Sequence, residues 1–378
     1  MSRVEDIAWN LYDWFQGYPV FIQIALVMIV ISVALFLLGN ASLAIDRMRA
    51  SYRKSRESTA TAIITAELVG GLMSEEDQSD NEFDKFVNRI KTLTAKSSFF
   101  KQVVIDQIIY YHRNFTDSTE HVLDKLFSKL ELADSAVRKL KSKSWVRKAK
   151  GMREMQEMKP ENSVGKWIDP LLNDPNDDLR IEAQATFLSL NSDDPFAFLS
   201  SATEELLPWH QIILFEIVVN TPDLPIPDLR DLLQSKNDSV VSFCIKLAAY
   251  YQQLEVIPEL ISLLDHEDQN MRIDALDVLG KLNAEEAEPV MIRKFPLEDL
   301  KVQIKALESV GEIKSGRQLE FLKEQFLDSS DFALIKTAAC AIVTYPGFDK
   351  DGFLSEPAQI SARRATIMNH CANNLIRK

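Results

Sequence analysis

Leu179-Arg180-Ile181-Glu182-Ala183 and Met271-Arg272-Ile273-Asp274-Ala275 are two copies of one pattern: an apolar residue, Arg, Ile, an acid and Ala. Ala275-Leu276-Asp277-Val278-Leu279-Gly280 is echoed in the same way by Ala306-Leu307-Glu308-Ser309-Val310-Gly311. The small residue sets a period. Cys244 lies 31 residues before Ala275, Ala306 lies 31 after it, and Ala338 follows 32 later. Ala183 to Cys244 is 61, about two periods, so one copy belongs near residue 214. Ile212-Ile213-Leu214-Phe215-Glu216-Ile217-Val218-Val219 stands there, and a weaker copy begins at Trp145-Val146-Arg147-Lys148-Ala149. Self-similarity at this period is the mark of stacked supersecondary units that share one continuous core.

Each unit reads as two helical halves. The first ends in an apolar pair: Leu171-Leu172, Leu232-Leu233, Leu263-Leu264, Phe326-Leu327. A polar turn follows, as in Asn173-Asp174-Pro175-Asn176-Asp177-Asp178, and the second half carries the small residue that lets neighbouring helices approach closely. Asp174 and Arg180, six apart, are spaced to bond across the turn and onto the next unit.

These segments resemble the HEAT-repeat family in its short bacterial form. The likeness covers residues 145–345 and implies an all-α protein, an α-solenoid of five to seven HEAT-like helical hairpins that binds other proteins. The departures are Val241, Gln303 and Ile335 where an Arg is wanted, and an Asp265–Arg272 spacing of seven rather than six. The 34-residue aromatic pattern of tetratricopeptide arrays and the Thr-Pro-Leu-His turn of ankyrin repeats are absent. Some relatives with short repeats are bilin lyases or protein hydroxylases, so a lyase-related or cofactor-handling enzyme is the competing expectation.

Val20 to Leu38 is a second kind of segment: 19 residues without a charge, interrupted only by Gln23 and Ser32. At about 1.5 Å per residue it spans ~28 Å, close to the hydrocarbon thickness of a bilayer. Trp9, Tyr12, Trp14, Phe15 and Tyr18 precede it where an interfacial aromatic belt belongs. A cleaved signal peptide fits less well, because Glu5, Asp6 and Asp13 make the leading segment acidic. After the span come Arg47, Arg49, Arg53, Lys54 and Arg56. The positive-inside rule then puts the N-terminus outside and the large C-terminal part in the cytoplasm of a cell with an inner membrane. Cys244, Cys340 and Cys371, read as reduced thiols, agree with a cytosolic setting. Val4, Ile7, Ala8, Leu11, Tyr12 and Phe15 lie at helical spacing, so the first residues are expected to form an interfacial helix.

The expected organisation is an amphipathic segment over 1–18, a transmembrane helix over 19–39, a juxtamembrane helix and acidic linker over 40–81, further helices over 82–144, the repeats over 145–345 and a C-terminal capping helix over 346–378. The linker is marked by Ser74-Glu75-Glu76-Asp77-Gln78-Ser79-Asp80-Asn81.

The 378 residues include only 11 Gly, 14 Pro and 3 Cys, which argues against a turn-dense β fold and a disulfide framework. Net charge is −13, against a general nucleic-acid binder. That charge is uneven: residues 161–378 hold 20 basic and 36 acidic side chains, leaving 23 and 20 for residues 1–160. Arg138, Lys139, Lys141, Lys143, Arg147, Lys148 and Lys150 place seven cations in thirteen positions, candidates for meeting anionic headgroups or an acidic partner. The five His fall at 112, 121, 210, 266 and 370 without metal-ligand spacing, and no Cys-x-x-Cys, phosphate-loop or nucleophile-elbow motif occurs. His370-Cys371 are neighbours, which is not the usual presentation of a nucleophile and its base. Trp167 and Trp209 fall on apolar helical stripes and are expected in the core. The expected function is a non-catalytic, membrane-anchored scaffold or adaptor with a membrane-associated protein partner, no nucleic acid, no catalytic or metal-binding residues and no cofactor. Its expected setting is a bacterial envelope system such as exopolysaccharide glycosyltransfer, which rests on the resemblance alone.

Overall fold

The computed structural model describes residues 14–72, 80–95, 97–114, 118–158, 165–191, 193–355 and 360–373. Most of the expected interfacial helix, over 1–13, and most of the acidic linker, over 73–79, lie outside them. All regular structure among the described residues is helical. The chain divides into two compact units, Met1–Leu132 and Ala133–Lys378.

The first unit is built on α1 (Val20–Leu72), one continuous helix of 53 residues. Its two halves live in different surroundings. Ala60, Ile64 and Leu68, four apart, form a buried stripe on the C-terminal half. That half packs on α2 (Asp80–Ala95) and α3 (Ser98–Asn114), and α4 (Ser118–Lys129) packs on α3; Phe86, Ile90, Ile105, Ile108, Leu123 and Leu126 of these helices are also fully buried. Thr65 donates to Gln107 at 3.1 Å and Arg89 pairs with Glu67 at 3.2 Å. The N-terminal half, by contrast, has none of its most apolar window buried. By length and composition it is a candidate membrane span.

The second unit is a solenoid. After α5 (Ala133–Leu140) come α6 (Trp145–Met158), α7 (Asp177–Leu190), α8 (Pro208–Asn220), α9 (Asp238–Tyr251), α10 (Gln269–Lys281), α11 (Leu300–Ile313), α12 (Phe332–Val343) and α13 (Ala362–Ala372). From α6 onward these are the second halves of successive hairpins, and their first residues advance by 30 to 32. There are eight among the described residues, in place of five to seven, because the basic hairpin α5–α6 and the C-terminal helix take the same step. The first halves are shorter. Two of them begin with Pro in the opening turn, at Pro258 and Pro289, and several tighten into a 3₁₀ turn at the apolar pair, as at Leu263–Asp265.

The period recurs at every level of detail. The seventh residue of each helix from α6 on is Gly151, Ala183, Leu214, Cys244, Ala275, Ala306, Ala338 and Met368, and all are buried. Asn176, Asn237, Asp268, Asp331 and Ser361 cap the helices that follow them, each accepting from a backbone N–H of the first turn. Left-handed residues close three of the helices at Gln252, Asn283 and Lys314, 31 apart, with φ of 52°, 53° and 53°.

Stacking is closest between α10, α11 and α12. A Cβ placed on Gly280 would stand 3.1 Å from Ser309 Cα, and one on Gly311 would stand 2.6 Å from Ala341 Cβ. Gly151 plays the same part inside the first hairpin, where a Cβ would lie 2.9 Å from the Ala136 carbonyl oxygen. One hairpin departs from the rule. Between α8 and α9, Pro222, Pro225 and Pro227 interrupt any first-half helix, leaving a loop and the short 3₁₀ turn Leu232–Gln234. Polar bonds bridge the two helices there: Gln211 donates to the Ser239 carbonyl at 3.2 Å, and Lys246 donates to Gln211 at 2.7 Å.

The cysteines correct the expectation of three free thiols. Cys340 on α12 and Cys371 on α13 form a disulfide, and only Cys244 is free. Their separation of 31 residues is one repeat, so stacking brings them together. The cysteine count therefore lends no support to a reducing compartment.

Two substitutions test this packing in thermal unfolding of the full chain followed by circular dichroism. Gly311→Ala is expected to cost roughly 1–3 kcal/mol by overpacking, with Ala341→Gly in the same chain restoring part of the loss. Equal losses in the single and double variants would refute the contact. Lys314→Gly is expected to add roughly 0.5–1 kcal/mol by relieving a left-handed backbone on a residue with a Cβ; a lower midpoint would contradict this.

Candidate interaction surface

Polar side chains at the fourth residue of α7, α10 and α11 show how units are tied. Arg180 donates to the Asp174 carbonyl at 2.8 Å, pairs with Asp177 at 2.7 Å and reaches the Glu205 carbonyl of the next unit at 3.3 Å. Arg272 donates to the His266 carbonyl at 2.8 Å and pairs with Glu298 of the next unit at 3.0 Å. In both cases the acceptor six residues back is a backbone oxygen, which is why the spacing of the turn Asp can vary. Gln303, where Arg was wanted, does the same work, donating to the Phe295 carbonyl at 2.8 Å. Arg364 of α13 reaches back to the Phe326 and Ser329 carbonyls at 2.9 and 2.8 Å. These side chains belong to the scaffold.

The seven cations of residues 138–150 lie on the α5–α6 hairpin, and the fold treats them unequally. Arg138 and Lys141 are exposed on and just beyond α5, Lys143 is exposed in the turn, and Arg147 and Lys150 are exposed on α6. Lys148 is half-buried. Lys139 is half-buried and paired with Glu154, which is itself buried. Lys141 lies 4.3 Å from the centroid of the Trp167 ring. Lys139 and Lys141 thus have structural partners within the unit. Trp145 and Val146, 45% and 57% exposed, stand among the remaining cations and add apolar surface to the patch.

A second exposed feature was hidden in the sequence. Trp209 is 42% exposed rather than core, and with Ile212 and Val219 it forms an exposed apolar stripe along α8. Trp167 is half-buried beneath Lys141. The apolar pattern of α8 concealed this because Leu214 and Val218, on the opposite side, fill the core as expected.

The groups that chemistry would need are dispersed or committed. Cys244 is pushed up to about 12 by burial, the state of an inert thiol. Cys371 is in the disulfide beside His370. Among the described residues no group of three or more His, Cys, Asp or Glu is arranged to hold a metal ion. His112 faces Asp124 at 3.5 Å, and His266 accepts from the Asp268 N–H at 3.0 Å.

The fold and these sites define an α-solenoid of helical hairpins. Residues 257–342 match the family model for HEAT repeats. Among solved structures, the chain is similar to the complex of CpcE and CpcF of phycocyanin lyase from Nostoc sp. PCC7120, at 12% identity, covering 71% of this chain and 94% of that one, with a TM-score of 0.23. No curated protein matches it in sequence.

His210 is fully buried on α8 with neither ring nitrogen hydrogen-bonded, its ring 4.0 Å from that of Trp209. Burial, and then the Arg180 charge, hold its pKa below the ordinary imidazole value, against weaker opposition from Asp177 and Asp178. The folded chain therefore resists a proton that the unfolded chain accepts. Stability is expected to be full above the ordinary imidazole pKa and to fall as pH drops below it. His210→Leu should flatten that acid limb in thermal unfolding at successive pH values; identical limbs in the two proteins would exclude His210 as the cause.

Proposed function

We propose that this chain is a membrane-anchored, non-catalytic scaffold that offers a HEAT-like solenoid to a protein partner. One observation carries the reading: within a single unbroken helix, the half ending at Leu72 is built into a helical unit while the apolar half beginning at Val20 is left uncovered by the described residues. A core helix would be covered, and an exposed apolar face of this size needs lipid or protein around it. The solenoid supports the second part of the reading, because repeat stacking satisfies its own core and leaves long lateral faces for recognition. Tethering raises the effective concentration of those faces near membrane-bound partners.

The orientation we infer rests on the cations at Arg47, Arg49, Arg53, Lys54 and Arg56, with the solenoid on the cytoplasmic side of the inner membrane. Arg138, Lys141, Lys143, Arg147 and Lys150, with Trp145 and Val146 among them, are the docking candidates for an acidic partner or anionic membrane surface. Within this reading the partner is a membrane-associated component of a bacterial envelope system, such as the glycosyltransferase of an exopolysaccharide pathway.

Crosslinking and mass spectrometry from native membranes test the scaffold. A reproducible membrane-associated partner is expected with the native chain, and its yield should fall several-fold when these five cations are changed to Gln. Equal recovery with and without the cations would remove the surface from the proposal. Recovery of no partner at all would count against a scaffold, and digestion of the solenoid by protease added from outside the inner membrane would reverse the orientation.

A further inference from the structure

The C-terminal helix is held by fewer side chains than the helices before it. α13 buries Ile367, Met368 and Cys371, whereas α12, on which it packs, buries six residues. Polar bonds add to the hold: Arg364 donates to the Phe326 and Ser329 carbonyls, and Lys350 donates to Asn369 at 3.2 Å. The Cys340–Cys371 bond is the covalent tie between the two helices. Local opening concentrates in terminal elements with little buried surface, so this tie decides how firmly α13 is held.

The two cysteines meet different surroundings. Cys371 is 3% exposed. Cys340 is half-buried and lines a groove of about 540 Å³. Gly311 and Glu312 of α11 form one wall of it, and Lys336, Thr337 and Ala341 of α12 form the other. Its described lining includes no residue of α13. Because α12 packs on α11 and on α13, the groove lies on the α11 side, and a thiol in it approaches Cys340 from the side away from Cys371. Displacement at sulfur runs in line with the bond being broken, opposite the leaving sulfur, which makes Cys340 the one attacked. The leaving sulfur has a place prepared for it. Cys371 Sγ stands 3.6 Å from the Lys336 carbonyl oxygen, an acceptor for its S–H once the bond opens. The third cysteine, Cys244, is fully buried as an inert thiol and takes no part.

We infer that the Cys340–Cys371 bond is a redox latch, opened by a dithiol reductant that reaches Cys340 through this groove and thereby frees α13 to lift from α12. One thiolate of the dithiol bonds to Cys340 Sγ, the bond to Cys371 breaks, and Cys371 leaves with the electron pair and takes up a proton. The second thiolate of the dithiol then attacks the reductant sulfur of the mixed disulfide and releases Cys340, which is protonated in turn. The dithiol ends as a disulfide, having given up two electrons and two protons, and the protein gains both. The same exchange run backwards with a disulfide oxidant closes the latch. Arg364, Ile367 and Met368 hold α13 without the bond, so the sulfurs can meet again. The latch goes beyond the scaffold reading and stands whether or not α1 is an anchor. On the cytoplasmic side proposed above, thiol systems would make such a bond transient rather than permanent.

The test uses the full chain in mild detergent, air-oxidised and then treated with dithiothreitol without denaturant. Hydrogen exchange read by mass spectrometry should show α13 exchanging at least about tenfold faster after reduction, with α7 to α10 unchanged and protection regained on treatment with oxidised glutathione. With reduced glutathione as a monothiol probe, the first mixed disulfide should map to Cys340. A chain carrying both Cys340→Ser and Cys371→Ser should exchange fast at α13 with or without dithiothreitol. Three free thiols in the air-oxidised chain, a bond that dithiothreitol opens only after denaturation, equal exchange of α13 in the two states, or a first adduct at Cys371 would each overturn the latch. Loss of protection through α7 to α10 on reduction would make the bond a staple of the whole solenoid and overturn it as well. Circular dichroism shows whether the double variant folds; if it does not, the native chain in its two redox states still decides the matter.

Discussion

The solenoid depends on how closely successive second-half helices approach one another. That distance is set where a helix offers no side chain at all. Gly280 against Ser309 and Gly311 against Ala341 bring α10, α11 and α12 together at backbone range. Close approach of this kind maximises dispersion contacts and leaves no room for adjustment, so the apolar residues on either side must interdigitate in one register. The remaining periodic features follow from that register. Helix starts, capping residues, left-handed closures and the buried seventh position all recur at about the same step because each helix copies the placement of the one before.

Polar tethering is the second constraint, and it works through backbone oxygens. A turn between two helices leaves carbonyl groups without helical partners, and burying them unsatisfied is costly. Arg180, Arg272 and Gln303 supply donors to those carbonyls from the same helical position. Because the acceptor is main chain, the side chains around it are free to vary, and a shorter Gln can replace Arg where no reach to the next unit is needed. The two Arg side chains also touch the following unit, through the Glu205 carbonyl and the Glu298 carboxylate. Satisfaction of a local turn and cohesion between repeats are thus carried by one residue.

Much of this was legible in the sequence, for reasons that also explain what was not. Ala183, Cys244, Ala275, Ala306 and Ala338 announced the period because all five are buried at the same position of their helices. Arg180 and Asp174 pointed to a bond across the turn, yet the acceptor proved to be the Asp174 carbonyl, and no residue type encodes a backbone oxygen. The Cys340–Cys371 disulfide was within reach, since their separation equals the repeat, but it becomes visible only once the repeat is extended to the C-terminal helix. Trp209 was misplaced because α8 is apolar nearly all round, and a helix of that kind gives no pattern from which to choose its buried side. The basic run at 138–150 was legible as charge, whereas the pairing of Lys139 with Glu154 and the placing of the exposed Lys141 over Trp167 depend on residues that only the fold brings near.

The long helix α1 divides between two patterns of apolar surface. Its C-terminal half repeats the logic of the solenoid, with Ala60, Ile64 and Leu68 at a spacing that packs one stripe against neighbouring helices. Its N-terminal half abandons the stripe: apolar residues occupy every side, which in water would expose them all and in hydrocarbon exposes none to cost. The change occurs without a break in the helix, so whatever force orients one half is transmitted to the other over a rigid rod. Arginines 49, 53 and 56 lie on the stretch between these two patterns, exposed on one face of the helix.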